Sequence, residues 1–245
     1  MNSLAFLSPG PDAVAKSPME PGTAAAGAAI EQRDGWNVAI SFPDESAHLS
    51  TVGFADLSHL GKIEIQAEAD DLASIVSGAI RERLELGRAT RAENAWWCPY
   101  SASRAVVLCP PADTARLREH LADAGEKASG LVSVVDPTAV QGAMTILGPL
   151  ARETFARFTA IDLRPQVTPV QGFRPGSVAR TPGAILREAE DRWLMLFGAA
   201  LGQYVWTLVA DAAGHLGGGP VGVDALPPLD ARAPSDGAGP ESPNA

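Results

Sequence analysis

Asp56-Leu57-Ser58-His59 brings an acid, a hydroxyl and an imidazole within four residues, the types that nucleophilic catalysis combines. A triad needs the imidazole between nucleophile and acid in space. On an extended chain alternate residues face opposite sides, so Asp56 and Ser58 share a face and His59 points away. The expected structure is therefore a turn in which Asp56 or Ser58 bonds backbone N–H groups. Asp70-Asp71 is a paired carboxylate, but it precedes the apolar run Leu72, Ile75, Val76 and Ile80 and suits the acidic first turn of a helix. His120 falls within a helical pattern and reads as a solvent-facing residue. Gly-x-Gly-x-x-Gly and the phosphate-loop pattern are absent; Gly217-Gly218-Gly219 follows a helical stretch and reads as a flexible connector. Cys98 and Cys109 have no histidine at metal-ligand spacing and read as reduced, partly buried thiols. Trp96 and Trp97 are adjacent on a strand, so one of them should lie outside the local core. An exposed Trp is a common interface anchor; the competing reading is cover by another segment of the same chain.

Around these residues the pattern is mixed. Val38, Ile40 and Phe42 alternate with polar or small residues, as in a half-buried strand. Pro43 ends that run, and Asp44 is placed to cap a short helix through Leu49. Gly53 to Leu57 and Lys62 to Ala67 read as strands joined by the turn Ser58 to Gly61. A helix follows from Asp70, and Ala79 to Arg91 is also helical in propensity. Ala95 to Cys98 and Arg104 to Cys109 read as short strands, and Asp113 opens a helix with Leu117 and Leu121 inward. Leu131 to Val135 and Ala143 to Leu147 are further strands, and Gly148-Pro149 places proline at a helix start. Val178 to Thr181, Ala184 to Arg187 and Arg192 to Phe197 form a meander. Leu201, Val205, Leu208, Val209 and Ala212 give the stripe of a closing helix. The unit of strand pair, helix and strand occurs twice.

Several of these stretches carry a family resemblance. DGWNVAISF followed by VGFADLSHLGKIEIQ resembles the opening segment of the aminomethyltransferase (glycine-cleavage T-protein) superfamily. That superfamily includes the tetrahydrofolate-binding domains of dimethylglycine and sarcosine oxidases and the gamma subunit of heterotetrameric sarcosine oxidase. MTILGPLARETFARFTAIDL resembles its strand, Gly-Pro, helix unit, and GSVART with DRWLMLFGAALGQYVWTLV its next strand pair and helix. The resemblance spans Gly27 to Leu226 and is nearest to the gamma subunit. It implies an α+β fold of two pseudo-symmetric halves, lacking the C-terminal barrel of full T-proteins. It also places Asp56, Ser58 and His59 near a folate channel.

Two departures from the family pattern bear on activity. T-proteins carry an Asp-Asp turn whose carboxylate assists transfer of the one-carbon unit. The corresponding interval here, Leu86 to Cys109, holds one acid, Glu93, and no Asp. A general base contributes roughly 10² to 10⁴ in rate, so a poor transferase is expected. The family's Gly-Tyr-Thr-Gly-Glu motif, whose Glu contacts the pterin ring, is replaced by a stretch containing Ala184-Ile185-Leu186. Glu190 matches the motif's Glu only across two extra residues, so tetrahydrofolate is expected to bind weakly.

Composition narrows the partners. The 245 residues carry a net charge of −10 and a pI near 4.8, without a basic cluster, which disfavours nucleic acid and anionic membranes. There is neither a signal-peptide pattern nor an 18-residue apolar stretch, so a cytoplasmic protein is expected. Pro/Gly content marks residues 1–23 as a flexible arm and 227–245 as a disordered tail around a domain at 24–226. The reading that joins these points is a non-catalytic gamma-type subunit, with flavin and NAD bound by larger partner subunits. The alternatives are a folate-dependent aminomethyltransferase or folate-binding protein, and a scaffold role such as iron–sulfur assembly.

Overall fold

Alternating apolar residues drive most of this chain into two largely antiparallel sheets that face one another. The structure, a computed structural model, describes residues 13–228. A two-stranded hairpin pairs β1 (Ala29–Arg33) with β2 (Trp36–Ser41). Six strands form the first sheet: β3 (Gly53–Asp56), β9 (Gln141–Leu147), β10 (Phe173–Val178), β11 (Thr181–Ala189), β12 (Arg192–Gly198) and the short β13 (Gly219–Pro220), in the order β10-β11-β12-β9-β3-β13. Five form the second: β4 (Gly61–Gln66), β5 (Thr90–Ala92), β6 (Ala95–Ser101), β7 (Arg104–Cys109) and β8 (Ser133–Val135), in the order β5-β6-β7-β4-β8.

Helices cover the outer faces. The helices α5 (Ala151–Ala156) and α6 (Gly202–Gly214) pack on the six-stranded sheet, where Val205, Trp206 and Val209 meet Phe54, Ile146 and Met195. On the five-stranded sheet, α3 (Ala69–Ile80) and α4 (Thr114–Gly125) supply Leu72, Ile75, Val76, Leu117 and Leu121 against Ile63, Ile65, Trp97 and Val107. A third core joins the sheets to each other: Leu57, Trp96, Cys98, Val106 and Leu108 meet Ala143, Phe173, Ala184, Leu186, Leu194 and Leu196. The result is four layers, helix-sheet-sheet-helix. Because successive strand side chains alternate, each central strand feeds two cores at once.

Several expectations change here. The expected turn at Ser58 to Gly61 is a crossover, carrying the chain from β3 in one sheet to β4 in the other. Of the stretch Ala79 to Arg91 only Ala79 and Ile80 are helical, because α3 ends where Arg81 takes a left-handed conformation (φ 59°). Asp44 does not cap the short helix α2 (Glu45–Leu49), being itself left-handed; Glu45 instead accepts from the Phe42 N–H at 3.1 Å. Three of the hairpin turns, Asp34-Gly35, Glu93-Asn94 and Ala179-Arg180, each hold two residues at positive φ, the geometry that matches strand twist. Gly218 and Gly219 are packed rather than loose: Gly219 lies against the His48 imidazole, and β13 pairs in parallel with β3. Part of the expected N-terminal arm is also ordered. Ala15 bridges to Trp36, Met19 is fully buried, and α1 (Glu20–Ala25) sets Gly22 against the Trp206 indole. Residues 1–12 of that arm and 229–245 of the tail lie outside the described residues. No helix is long and apolar enough to cross a membrane among the described residues.

Candidate functional site

The crossover between the sheets gathers the first set of candidate residues. Asp56 ends β3 and is buried; one carboxylate oxygen accepts from the Ser58 N–H at 2.9 Å and the other from the Ser17 hydroxyl. Burial pushes its carboxyl above the usual range, and these two donors pull it part of the way back. The Ser58 hydroxyl, also buried, accepts from the Ala143 N–H at 3.3 Å. Lys62, at the start of β4, is fully buried and donates to the Ser58 and Leu60 carbonyls at 3.0 and 2.8 Å. Its amine is pulled down to about 8, chiefly by burial. His59 stands apart from this network; burial and the neighbouring Lys62 charge lower its imidazole to about 4. Asp56 and Lys62 thus brace the backbone of the crossover and the Ser58 hydroxyl ties it to β9, so both Asp56 and Ser58 bond backbone N–H groups as expected.

The second set lies on the seam between the sheets. Glu188 on β11 projects from the face that carries Ala184 and Leu186, and is 7% exposed. Its Oε1 accepts from Trp96 Nε1 at 3.1 Å and its Oε2 from Arg192 Nε at 3.0 Å. Burial raises this carboxyl, while Arg192, Trp96 and Arg91 oppose the rise. Arg91 lies with its guanidinium carbon 5.1 Å from the Trp96 ring centroid. One hydrogen bond, Trp96 to Glu188, thus spans from β6 in one sheet to β11 in the other.

Both indoles are enclosed by this chain, so the expectation of an exposed Trp anchor does not hold. Trp97 is fully buried under α3 and α4, and Trp96 is 5% exposed between the sheets. The alternation argument was sound, but the second sheet covers the face that a single core would leave open.

Glu190 does not reach the buried seam. It sits exposed in the β11–β12 turn, where its carbonyl accepts from Arg187 Nε and Nη2 at 3.3 and 3.0 Å. Asp56 stands opposite Met144, which stands opposite Met195. Glu190 is therefore about 16 Å from that level along the strands, at roughly 3.3 Å per residue, so Asp56 and Glu190 do not form one site. Glu93 is exposed in the β5–β6 turn. Cys98 and Cys109 are buried free thiols in different cores, Cys98 between the sheets and Cys109 beneath the helices. Among the described residues no cluster of His, Cys, Asp and Glu is arranged to hold a metal.

Sequence reasoning passed over Ser17, Lys62, Glu188 and Arg192. Lys62 occupies the polar phase of its strand, which ordinarily faces water, whereas Glu188 is the one charged member of an otherwise apolar phase of β11. The signal that marks Glu188 is its period-2 spacing from Ala184 and Leu186, whose burial carries it inward.

Neither protein-family models nor curated proteins match this sequence. Solved structures do match by shape. A chain of the heterotetrameric sarcosine oxidase from Corynebacterium sp. U-96 superposes with a TM-score of 0.65 at 17% identity, over 82% of this chain and 95% of that one. The glycine cleavage system aminomethyltransferase T from Bartonella henselae superposes with a TM-score of 0.70 at 15% identity, over 86% of this chain. This chain spans 60% of that protein's length. The chain therefore shares the α+β fold of this aminomethyltransferase and of this sarcosine oxidase chain.

Proposed function

We propose that this chain is a non-catalytic, gamma-type subunit of a heterotetrameric sarcosine oxidase, in which larger flavin-bearing subunits carry out the oxidative demethylation. The observation that carries this reading is the filling of β6. In the interval Leu86 to Cys109, where the resemblance calls for an Asp-Asp turn, the strand residues Trp96, Trp97 and Cys98 are buried, and the one acid, Glu93, is exposed in the β5–β6 turn. The shape agreement with nearly the whole of a sarcosine oxidase chain supports the same reading.

Tetrahydrofolate fits the residues poorly. A pterin ring needs a buried acceptor for its N–H donors, whereas Glu190, the residue that matches the motif's Glu, is exposed in the β11–β12 turn. A folate-binding role is the second reading, favoured by the TM-score of 0.70 to an aminomethyltransferase.

Co-expression with the flavin-bearing subunits of a sarcosine oxidase tests the first reading. The chain should co-purify with them, and sarcosine-dependent oxygen uptake should appear only in the complex. Turnover by the isolated chain that disappears in Glu93→Gln would overturn it. Titration calorimetry with tetrahydrofolate decides the second reading: micromolar affinity, about −8 kcal/mol, would establish it, and we expect none.

A further inference from the structure

Beside the seam, the loop that follows α3 and the strand β5 enclose a pocket of about 350 Å³ lined by Arg83, Arg88, Arg91, Thr90, Gln171, Glu82 and Glu85. In a chain of net charge −10, three guanidinia around one concavity run against the overall balance. None of the three forms an ion pair with a carboxylate among the described residues, and neither do Glu82 and Glu85, although they share the same rim. Surface arginines commonly find a carboxylate or extend into water. Here two of them are held in place. Arg88 Nε and Nη2 donate to Gln171 Oε1 at 3.2 and 2.8 Å. Arg91 is half-buried over the Trp96 ring, with Glu188 and Arg192 behind it.

The backbone fixes Gln171 as well. It adopts φ 68°, a conformation non-glycine residues seldom take. Its N–H donates to the Arg187 carbonyl at 2.8 Å, and its own carbonyl accepts from the Ala89 N–H at 2.7 Å. Segments of both sheets are thus stitched together directly beneath the pocket. Guanidinia that form no ion pair match the oxygens of carboxylates and phosphates; Arg88, whose Nε and Nη2 are engaged by Gln171, does so with its remaining N–H groups. Thr90 and Gln171, both with donor side chains, also line the pocket.

We propose that this pocket is a binding site for a small multivalent oxyanion, a di- or tricarboxylate or a phosphate ester. Arg83 and Arg88 engage the anion from the rim and Arg91 from the floor. The proposal stands apart from the subunit reading, because the site is complete within this chain.

Calorimetric titration of the full chain with citrate and with pyrophosphate, each against sodium chloride of equal ionic strength, tests it. At least one probe should bind saturably with Kd tighter than about 1 mM, and the stronger of the two identifies carboxylate or phosphate as the favoured chemistry. The double variant R83Q/R88Q removes two exposed side chains, so it should melt like the parent and bind at least about tenfold more weakly, one factor of ten in Kd. R118Q, which removes an exposed arginine of α4, should bind like the parent. Failure of both probes to bind, or equal binding by R83Q/R88Q and R118Q, would overturn the proposal.

Discussion

Removing the Glu188 carboxylate would leave Arg192, whose side chain is only 11% exposed, without its partner. Breaking a buried pair from one side typically costs about 3–5 kcal/mol, whereas replacing both members with apolar residues is often close to neutral. Glu188→Ala should therefore lower the urea midpoint sharply, and Glu188→Met with Arg192→Met should recover most of the loss. The two tryptophans make a parallel case. Trp96→Ala and Trp97→Ala should each cost roughly 3–5 kcal/mol in the isolated chain, because each fills a separate core. A neutral result for either would mean that its ring is not covered as described. His59 offers a pH signature. The folded imidazole stays neutral down to about 4, while the unfolded one takes up a proton near 6.5, so the unfolded state binds more protons between these values. Stability from this group therefore falls as pH drops from about 7 towards 4, by at most about 3 kcal/mol. Asp56 and Glu188, both raised by burial, act in the opposite direction. Comparing the pH dependence of melting in the parent and in His59→Gln isolates the histidine's share: the variant should lose less stability on acidification.

At the level of elements, the N-terminal strap is the main surprise. Composition marks its residues as an arm, since prolines and small residues show no periodicity. A single apolar side chain, Met19, nevertheless enters the core beside Val205 and Trp206, and Ser17 reaches Asp56 at the crossover. Periodicity detects elements that repeat a contact and overlooks a segment anchored once. Met19→Ala should cost about 2–5 kcal/mol, the usual range for truncating a buried methionine, measured by chemical denaturation. Gly22→Val should also destabilise the chain, because an added Cβ would meet the Trp206 ring. Full stability after trimming through residue 24 would show that the strap contributes nothing. The β5–β6 hairpin teaches a related lesson. Glu93-Asn94 lacks the glycine that usually marks such turns, and a helical reading of the preceding stretch was natural from its charged residues.

Considered as a whole, the molecule is held together by the core between its sheets. That core takes Trp96, Val106 and Leu108 from one sheet and Phe173, Leu186 and Leu194 from the other, and it is tied by the Trp96–Glu188 bond. Separating the halves would expose apolar faces on both, so they should unfold together. Far-ultraviolet circular dichroism and tryptophan fluorescence should then give coincident urea transitions; two separated transitions would show the halves folding independently. The subunit reading belongs to this scale too, since it rests on the shape of the whole chain rather than on one residue.

The sequence by itself determined the α+β class, most of the strands and the helices α3, α4 and α6, because alternation and 3.6-residue spacing are local properties of the chain. It also determined that β6 carries no aspartate. Only the tertiary structure decided which faces are covered. A strand's second face looks the same in sequence whether it meets water or another sheet, so the burial of Lys62, of Glu188 and of both Trp96 and Trp97 was not legible. The pairing of β3 and β4 with different sheets was hidden for the same reason: a short turn and a short crossover have similar residues, and long-range hydrogen bonds choose between them.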